Sequence, residues 1–199
     1  CSGLDRLICV SAAGATLAYQ VAANAPGNYG AGSSDAIVIL VNDAEYGGGG
    51  GALVTVSVNA GSPQIASHEL GHNIAALADE YESEWNDAEV LGARTKVNCS
   101  GPVASRADLK WIALVDPGTA IPTEGDDGTC TRTGACSTSA LPVGTVGMYE
   151  GGGYTACGSF RPTTACQMRC YVGYFCPVCD GAFRSVMAPF PGPAVDVYL

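Results

Sequence analysis

Charge is scarce in this 199-residue chain, and positive charge is scarcest: nine Lys and Arg stand against nineteen Asp and Glu, for a net charge of −10. Charged residues make up 14% of the sequence, where about 25% is usual. Nucleic acid and anionic membrane surfaces are bound through clustered lysine and arginine, so both are excluded as partners. No stretch approaches the roughly 18 consecutive apolar residues of a membrane-spanning helix. No internal repeat or long low-complexity tract appears, and one compact domain, expected to be a monomer, is the default at this length. No leader segment is visible and the chain opens on Cys1 rather than methionine, which reads as a processed or trimmed form. An acylated Cys1, as on a bacterial lipoprotein, would leave nine of the ten cysteines to pair.

Histidine is scarce too, and both copies fall within one stretch, His68-Glu69-Leu70-Gly71-His72. On a helix, residues four apart share a face, so the two imidazoles could hold one zinc ion. Glu69 would lie roughly 100° around the axis, placed to hold a water on the metal without ligating it. The flanking residues predict the helix: Ser62 as N-cap, Pro63 in the first turn, then an apolar stripe. Leu70, Ile74 and Leu77 fall opposite His68 and are predicted to face the core, leaving the histidines outward. Two ordinary surface histidines flanking a glutamate would not require that cap and stripe. The pattern points to a zinc hydrolase, above all a peptidase.

A catalytic zinc takes three protein ligands and keeps one position open, so a third ligand is needed. Asp79 and Glu80 are the nearest candidates, with Glu150 as a more distant one. Asp79 shares the azimuth of His72, but a continuous helix would carry it about 10 Å along the axis. The helix must therefore bend or end first. The stretch Asn73 to Ala78 has no glycine, and a left-handed alanine costs roughly 1–2 kcal/mol. Asn73 is the residue there with a natural liking for that conformation.

Upstream, residues 36–41 form an unbroken apolar run, expected of a strand buried on both faces; residues 52–58 alternate, as expected of a half-exposed edge strand. Five consecutive glycines, Gly47 to Gly51, lie between them. An extended peptide could add to an edge strand at 52–58 above the metal; a flexible hairpin loop is the other reading. A phosphate-cradling loop is not expected, because no lysine or serine-bearing helix start follows.

Ten cysteines in so uncharged a chain predict disulfides and an oxidising, extracellular setting. Eight of them lie from Cys99 onward (Cys99, Cys130, Cys136, Cys157, Cys166, Cys170, Cys176, Cys179), which predicts a stapled, loop-rich C-terminal half. Cys1 and Cys9 could pair with each other. Cys176-Pro177-Val178-Cys179 has the form of a thiol-redox motif, and with Cys166 and Cys170 it could instead make a four-thiolate zinc site. Acids cluster at Asp79, Glu80, Glu82, Glu84 and Asp87 and again at Glu124, Asp126 and Asp127. Either cluster could take calcium, although neither has the spacing of a calcium loop and a solvated acidic surface explains both.

These residues resemble the IgA-peptidase family of zinc metallopeptidases. The likeness rests on His68 to His72 followed by Leu77-Ala78-Asp79-Glu80-Tyr81-Glu82, on Ile37 to Asn42 with Tyr46-Gly47-Gly48 upstream, and on Tyr149-Glu150-Gly151, Arg161-Pro162 and Cys166-Gln167-Met168-Arg169 downstream. It implies an α/β (α+β), metzincin-like zincin: an upper subdomain over residues 1–85 carrying sheet, helices and the metal helix, and a lower, irregular, cysteine-rich one over 86–199. It implies His68, His72 and Asp79 as zinc ligands, Glu69 as general base, and Met168 in a turn beneath the metal, a role for which Met148 competes. Tyr171 is the expected donor to the oxyanion, with Tyr149 and Tyr154 behind it. Helices are expected near 4–22 and 178–188.

The expected function is therefore a secreted, zinc-dependent endopeptidase acting on protein or peptide substrate. A catalytically silent binding module of the same fold, or a thiol-disulfide oxidoreductase working through Cys176 and Cys179, are the alternatives.

Overall fold

A computed structural model describes residues 8, 10–24, 36–83, 87–123 and 140–189. Among these residues, five helices and two small sheets make a mixed, α+β fold. Helix α1 (Ala12–Asn24) is followed by strands β1 (Val38–Val41), β2 (Gly48–Gly49) and β3 (Val54–Ser57), and then by α2 (Ser62–Ala75). After α3 (Asp87–Ala93) come two short 3-10 turns and a hairpin of β4 (Tyr149–Gly152) and β5 (Thr155–Arg161). The short α4 (Gln167–Cys170) and α5 (Pro177–Met187) complete the order. The expected first helix begins later than predicted; residues 4–7 and 9 lie outside the described residues.

The first sheet reverses the expected roles of its apolar strands. Its order is β1-β3-β2, with β3 parallel to β1 and antiparallel to β2. Residues 52–58 therefore supply the centre, and every residue of β3 is buried. The run at 36–41 lies at an edge, where Val38 and Leu40 are exposed at 45% and 65%. The other edge is glycine: Gly48 faces Val56 and Gly49 faces Thr55. Glycine is needed at position 48, since a Cβ there would come within 2.3 Å of the Ile65 side chain. The missing side chains let α2 pack directly onto the strand.

Helix α2 lies between this sheet and the C-terminal helices, so the face predicted to look outward is also covered. Its buried residues are Ile65, His68, Gly71 and Ala75, whereas Leu70 and Ile74 are only half-buried. The reason is Gly71, where a Cβ would meet the Met168 sulfur at 2.5 Å and the Phe175 ring at 3.3 Å. Its bare backbone lets α4 and α5 close over the histidine side. Below the helix, Ala75, Leu77, Leu109, Trp111, Val115, Met148, Phe160, Met168 and Val178 share one apolar core with Cys166, Cys176 and Cys179.

The N-terminus of α2 is displaced by one residue from its predicted place. Gly61 is the N-cap, and the Ser62 hydroxyl donates to the Ser57 carbonyl while accepting from the Asn59 N–H at 2.7 Å. The β4–β5 hairpin has no counterpart in the sequence reading. Its glycines Gly151 and Gly152 take positive φ, 87° and 129°, and so look like a turn rather than a strand.

Candidate metal centre

The end of α2 delivers the third acid. The helix stops at Ala76, which adopts the left-handed conformation (φ 51°, ψ 34°), so the turn falls on an alanine and not on Asn73. Asn73 instead donates from its side chain to the Gly51 carbonyl at 2.5 Å. The Leu77 N–H returns to the Gly71 carbonyl at 3.1 Å. Asn98 then clasps Ala78 on both backbone groups, at 2.8 Å each, and turns Asp79 back under the helix.

Three side chains converge there. Asp79 Oδ1 lies 2.8 Å from His68 Nε2 and 3.3 Å from His72 Nε2, and the two nitrogens are 3.1 Å apart. His68 and Asp79 are almost wholly buried. Both Nδ1 atoms face backbone carbonyls, His68 that of Gln167 at 3.0 Å and His72 that of Leu77 at 2.8 Å. A carbonyl can only accept, so each Nδ1 carries its proton and each Nε2 offers a lone pair. With both rings neutral, Asp79 Oδ1 has no hydrogen-bond donor among the described residues. Three lone-pair atoms turned toward one point fit a cation.

Electrostatics agree with that fit. Burial acts to lower the His72 pKa, but the hydrogen bond and charge of Asp79, aided by the Leu77 carbonyl and Glu69, raise it to about 9. Burial acts to raise that of Asp79, but His68 and His72 hold it well below the usual carboxylate range. A raised imidazole and a lowered carboxyl at one point both mark a site that favours positive charge. Glu69 is pushed up by burial, with the histidines pulling the other way.

The surrounding groups sort the remaining candidates. Tyr154, itself left-handed at φ 70°, donates its hydroxyl to Asp79 Oδ2. Burial and the Asp79 charge push its pKa up, so the phenol stays protonated. Tyr171 packs its ring 4.8 Å from that of His68, tilted by 42°. Tyr149 points elsewhere, donating to the Thr145 carbonyl at 3.1 Å. Tyr81, overlooked in the sequence, stacks on His68 at 6.2 Å. Met168, fully buried, is the methionine against the metal helix; Met148 sits in the core beside Thr123. Gly50 lies over the Glu69 carboxylate, where a Cβ would meet Glu69 Oε2 at 2.4 Å.

Glu80 and Glu150 do not join the histidines. Glu150 accepts from the Gly158 N–H at 2.8 Å within the hairpin, and Glu80 belongs to a cluster with Cys166, Cys176 and Cys179. Nor do the acids from 79 to 87 make one solvated surface. Asp79 and Glu80 are buried, and Glu82 pairs with Arg169 at 2.9 Å and Arg161 at 3.7 Å. Glu84 and the second acidic group, Glu124, Asp126 and Asp127, lie outside the described residues, as do Cys1, Cys9, Cys130 and Cys136. Cys157 and Cys170 are each disulfide-bonded, whereas Cys99, Cys166, Cys176 and Cys179 are free and buried.

In this α+β fold two helical histidines and a following aspartate converge as a group that could hold a metal ion. The chain belongs to the IgA peptidase M64 family, whose family model matches residues 1–136. That span carries the metal helix, Asp79 and Glu80; the likeness seen at Tyr149 to Gly151, Arg161-Pro162 and Cys166 to Arg169 lies beyond it. No curated protein matches the chain. Membership in a peptidase family implies a protein or peptide substrate. No helix among the described residues is long and apolar enough to cross a membrane.

Proposed function

We propose that the protein is a secreted, zinc-dependent endopeptidase of metzincin-like build, with His68, His72 and Asp79 as the ligands and Glu69 as general base. The observation that carries this reading is the meeting of His68 Nε2, His72 Nε2 and Asp79 Oδ1, each nitrogen freed by a carbonyl on the far side of its ring. Two imidazoles and a carboxylate suit zinc. When bound, the ion would act as a Lewis acid toward water and toward the scissile carbonyl.

The chain's own groups supply the rest. Glu69, one residue after the first ligand, takes the proton from the attacking water and passes it to the leaving amine. Its partial burial, which raises its pKa, makes the protonated form easier to reach at that second step. Tyr171, whose ring packs 4.8 Å from that of His68, would donate to the developing oxyanion, while Tyr154, bonded to the outer oxygen of Asp79, would orient the third ligand. The glycine strand is the substrate edge in this reading, replacing β3. Its Gly48 carbonyl already accepts from the Ile8 N–H at 3.2 Å, so an extended peptide would lie along the strand's continuation past Gly50, beside Glu69. The disulfides at Cys157 and Cys170 support an oxidising compartment.

The test is Glu69→Ala assayed against a peptide library, with bound metal measured in parallel. Metal retained with hydrolysis lost is the expected result. Hydrolysis that persists removes Glu69 from the chemistry, and a metal-loaded wild type that cleaves nothing favours the silent binding module.

A further inference from the structure

A second group of metal-ligating side chains lies in the floor beneath the histidine site. Glu80, Cys166, Cys176 and Cys179 are each at most 1% exposed, and their ligand atoms all lie within 4.8 Å of one another. They come from three separate places: the descent after α2, the residue before α4, and the first turn of α5. We infer that these four side chains form a structural zinc site, distinct from the His68-His72-Asp79 centre.

The distances decide between a metal site and a disulfide. Cys166 and Cys179 hold their sulfurs 3.7 Å apart. Zinc–sulfur bonds of about 2.3 Å at the tetrahedral angle place two sulfurs about 3.8 Å apart, whereas a disulfide brings them to about 2.05 Å. Cys179 Sγ lies 3.2 Å from Glu80 Oε1, near the ~3.5 Å edge that a tetrahedral sulfur–oxygen pair spans. The other carboxylate oxygen, Oε2, is buried with no hydrogen-bond partner among the described residues. An orphaned carboxylate oxygen beside three thiols is expensive unless a cation or a proton takes it.

The local backbone also suits thiolate. The Cys176 N–H donates to Cys166 Sγ at 3.3 Å, and Cys176 caps α5, so the partial positive charge of the helix start faces the sulfurs. Two buried guanidiniums, which also pair with Glu82, lie beside the cluster: Arg169 donates to the Glu80 carbonyl at 2.9 Å, and Arg161 acts on the Glu80 carboxylate through its charge. Soft sulfur ligands in a tetrahedral set select zinc over calcium or magnesium.

The four-thiolate alternative is thereby altered, because Cys170 is disulfide-bonded and Glu80 supplies the fourth ligand; the disulfides expected of Cys166, Cys176 and Cys179 are absent, all three being free. The redox reading of Cys176 and Cys179 fares poorly, since both sulfurs are buried and the residues leading to Cys176 form no strand. A thiol-disulfide enzyme needs an exposed attacking sulfur.

The test is metal stoichiometry on the intact chain, purified without chelator, together with cobalt substitution. Two zinc ions per chain are expected, falling to one in His72→Ala and to one in Cys179→Ser. Cobalt-loaded wild type should show a thiolate-to-cobalt charge-transfer band in the near ultraviolet that survives His72→Ala. The His68-His72-Asp79 centre has no sulfur, so failure of that site would leave the band untouched. If Cys179→Ser does not fold, a mercurial added to wild type should release one zinc as the thiols are titrated. Cobalt-loaded wild type without the band, or a disulfide joining any two of Cys166, Cys176 and Cys179 in the non-reduced protein, overturns the inference.

Discussion

Asp79 and Glu80 are neighbours in the chain, both buried, and their carboxylates belong to different clusters: Asp79 meets two imidazoles and Glu80 meets three thiols. Consecutive residues of an extended segment point to opposite sides, so one short stretch after α2 serves both. The Asn98 side chain fixes that stretch, holding Ala78 and, at 3.0 Å, Glu80 Oε1.

Metal affinity at the histidine centre should depend steeply on pH. His72, raised from 6.5 to about 9 in the metal-free protein, must lose a proton before Nε2 can bind an ion. Apparent affinity should therefore rise about tenfold per pH unit between roughly pH 7 and 9 and then level off. The same raised pKa stabilises the metal-free fold fully below pH 6.5, a contribution lost as pH climbs through about 9, so its melting temperature should fall across that window. Chelator competition at three pH values measures the first effect; a flat profile would mean that His72 is already neutral.

Tyr154 and Tyr171 should separate in kinetics. Tyr154→Phe removes the donor to Asp79 Oδ2 and should weaken metal binding by about 10–100-fold. Tyr171→Phe keeps the ring against His68 and should leave metal binding intact while lowering kcat by about 100–1,000-fold. The opposite pattern would exchange the two roles.

Gly50→Ala should injure chemistry without injuring the fold. The added methyl would lie 2.4 Å from Glu69 Oε2, the end of a side chain that can swing away. Displacing the base by about 1 Å can reduce turnover on the order of 100-fold. Bound metal and melting temperature should match wild type, and unchanged kcat would show that Glu69 does not need its present position.

Ala76→Gly should stabilise the protein. Relief of the left-handed alanine at φ 51° is worth roughly 1–2 kcal/mol, against about 0.4–1 kcal/mol of added freedom in the unfolded chain. The net gain of about 0.5–1 kcal/mol should raise the melting temperature by about 1–4 °C. Thermal unfolding checks this, and a lower midpoint would mean that the alanine methyl makes a contact outweighing its strain.

The centre was legible in the sequence where it depended on short spacing. His68, Glu69 and His72 lie within one helical turn, and Asp79 follows closely enough for helix geometry to demand a break. The position of that break was not legible: local preference favoured Asn73, whereas the Asn98 clasp on Ala78 and the Leu77 return to Gly71 place it at Ala76. Strand order failed for a related reason. Alternation at 52–58 predicts one wet face, but the adjoining glycine strand lets α2 cover it, and five glycines give no hydrophobic pattern to read. Glu80 among the thiols had no local signal, since its partners arrive from the far end of the chain. The backbone carbonyls of Gln167 and Leu77, which aim the imidazoles, carry no signature in residue type.

The two carbonyls are not equivalent. Leu77 lies just past the end of α2, whereas Gln167 reaches His68 only after the C-terminal helices have docked. One imidazole is thus aimed by the end of its own helix, while the aim of the other depends on a residue 99 positions further along the chain.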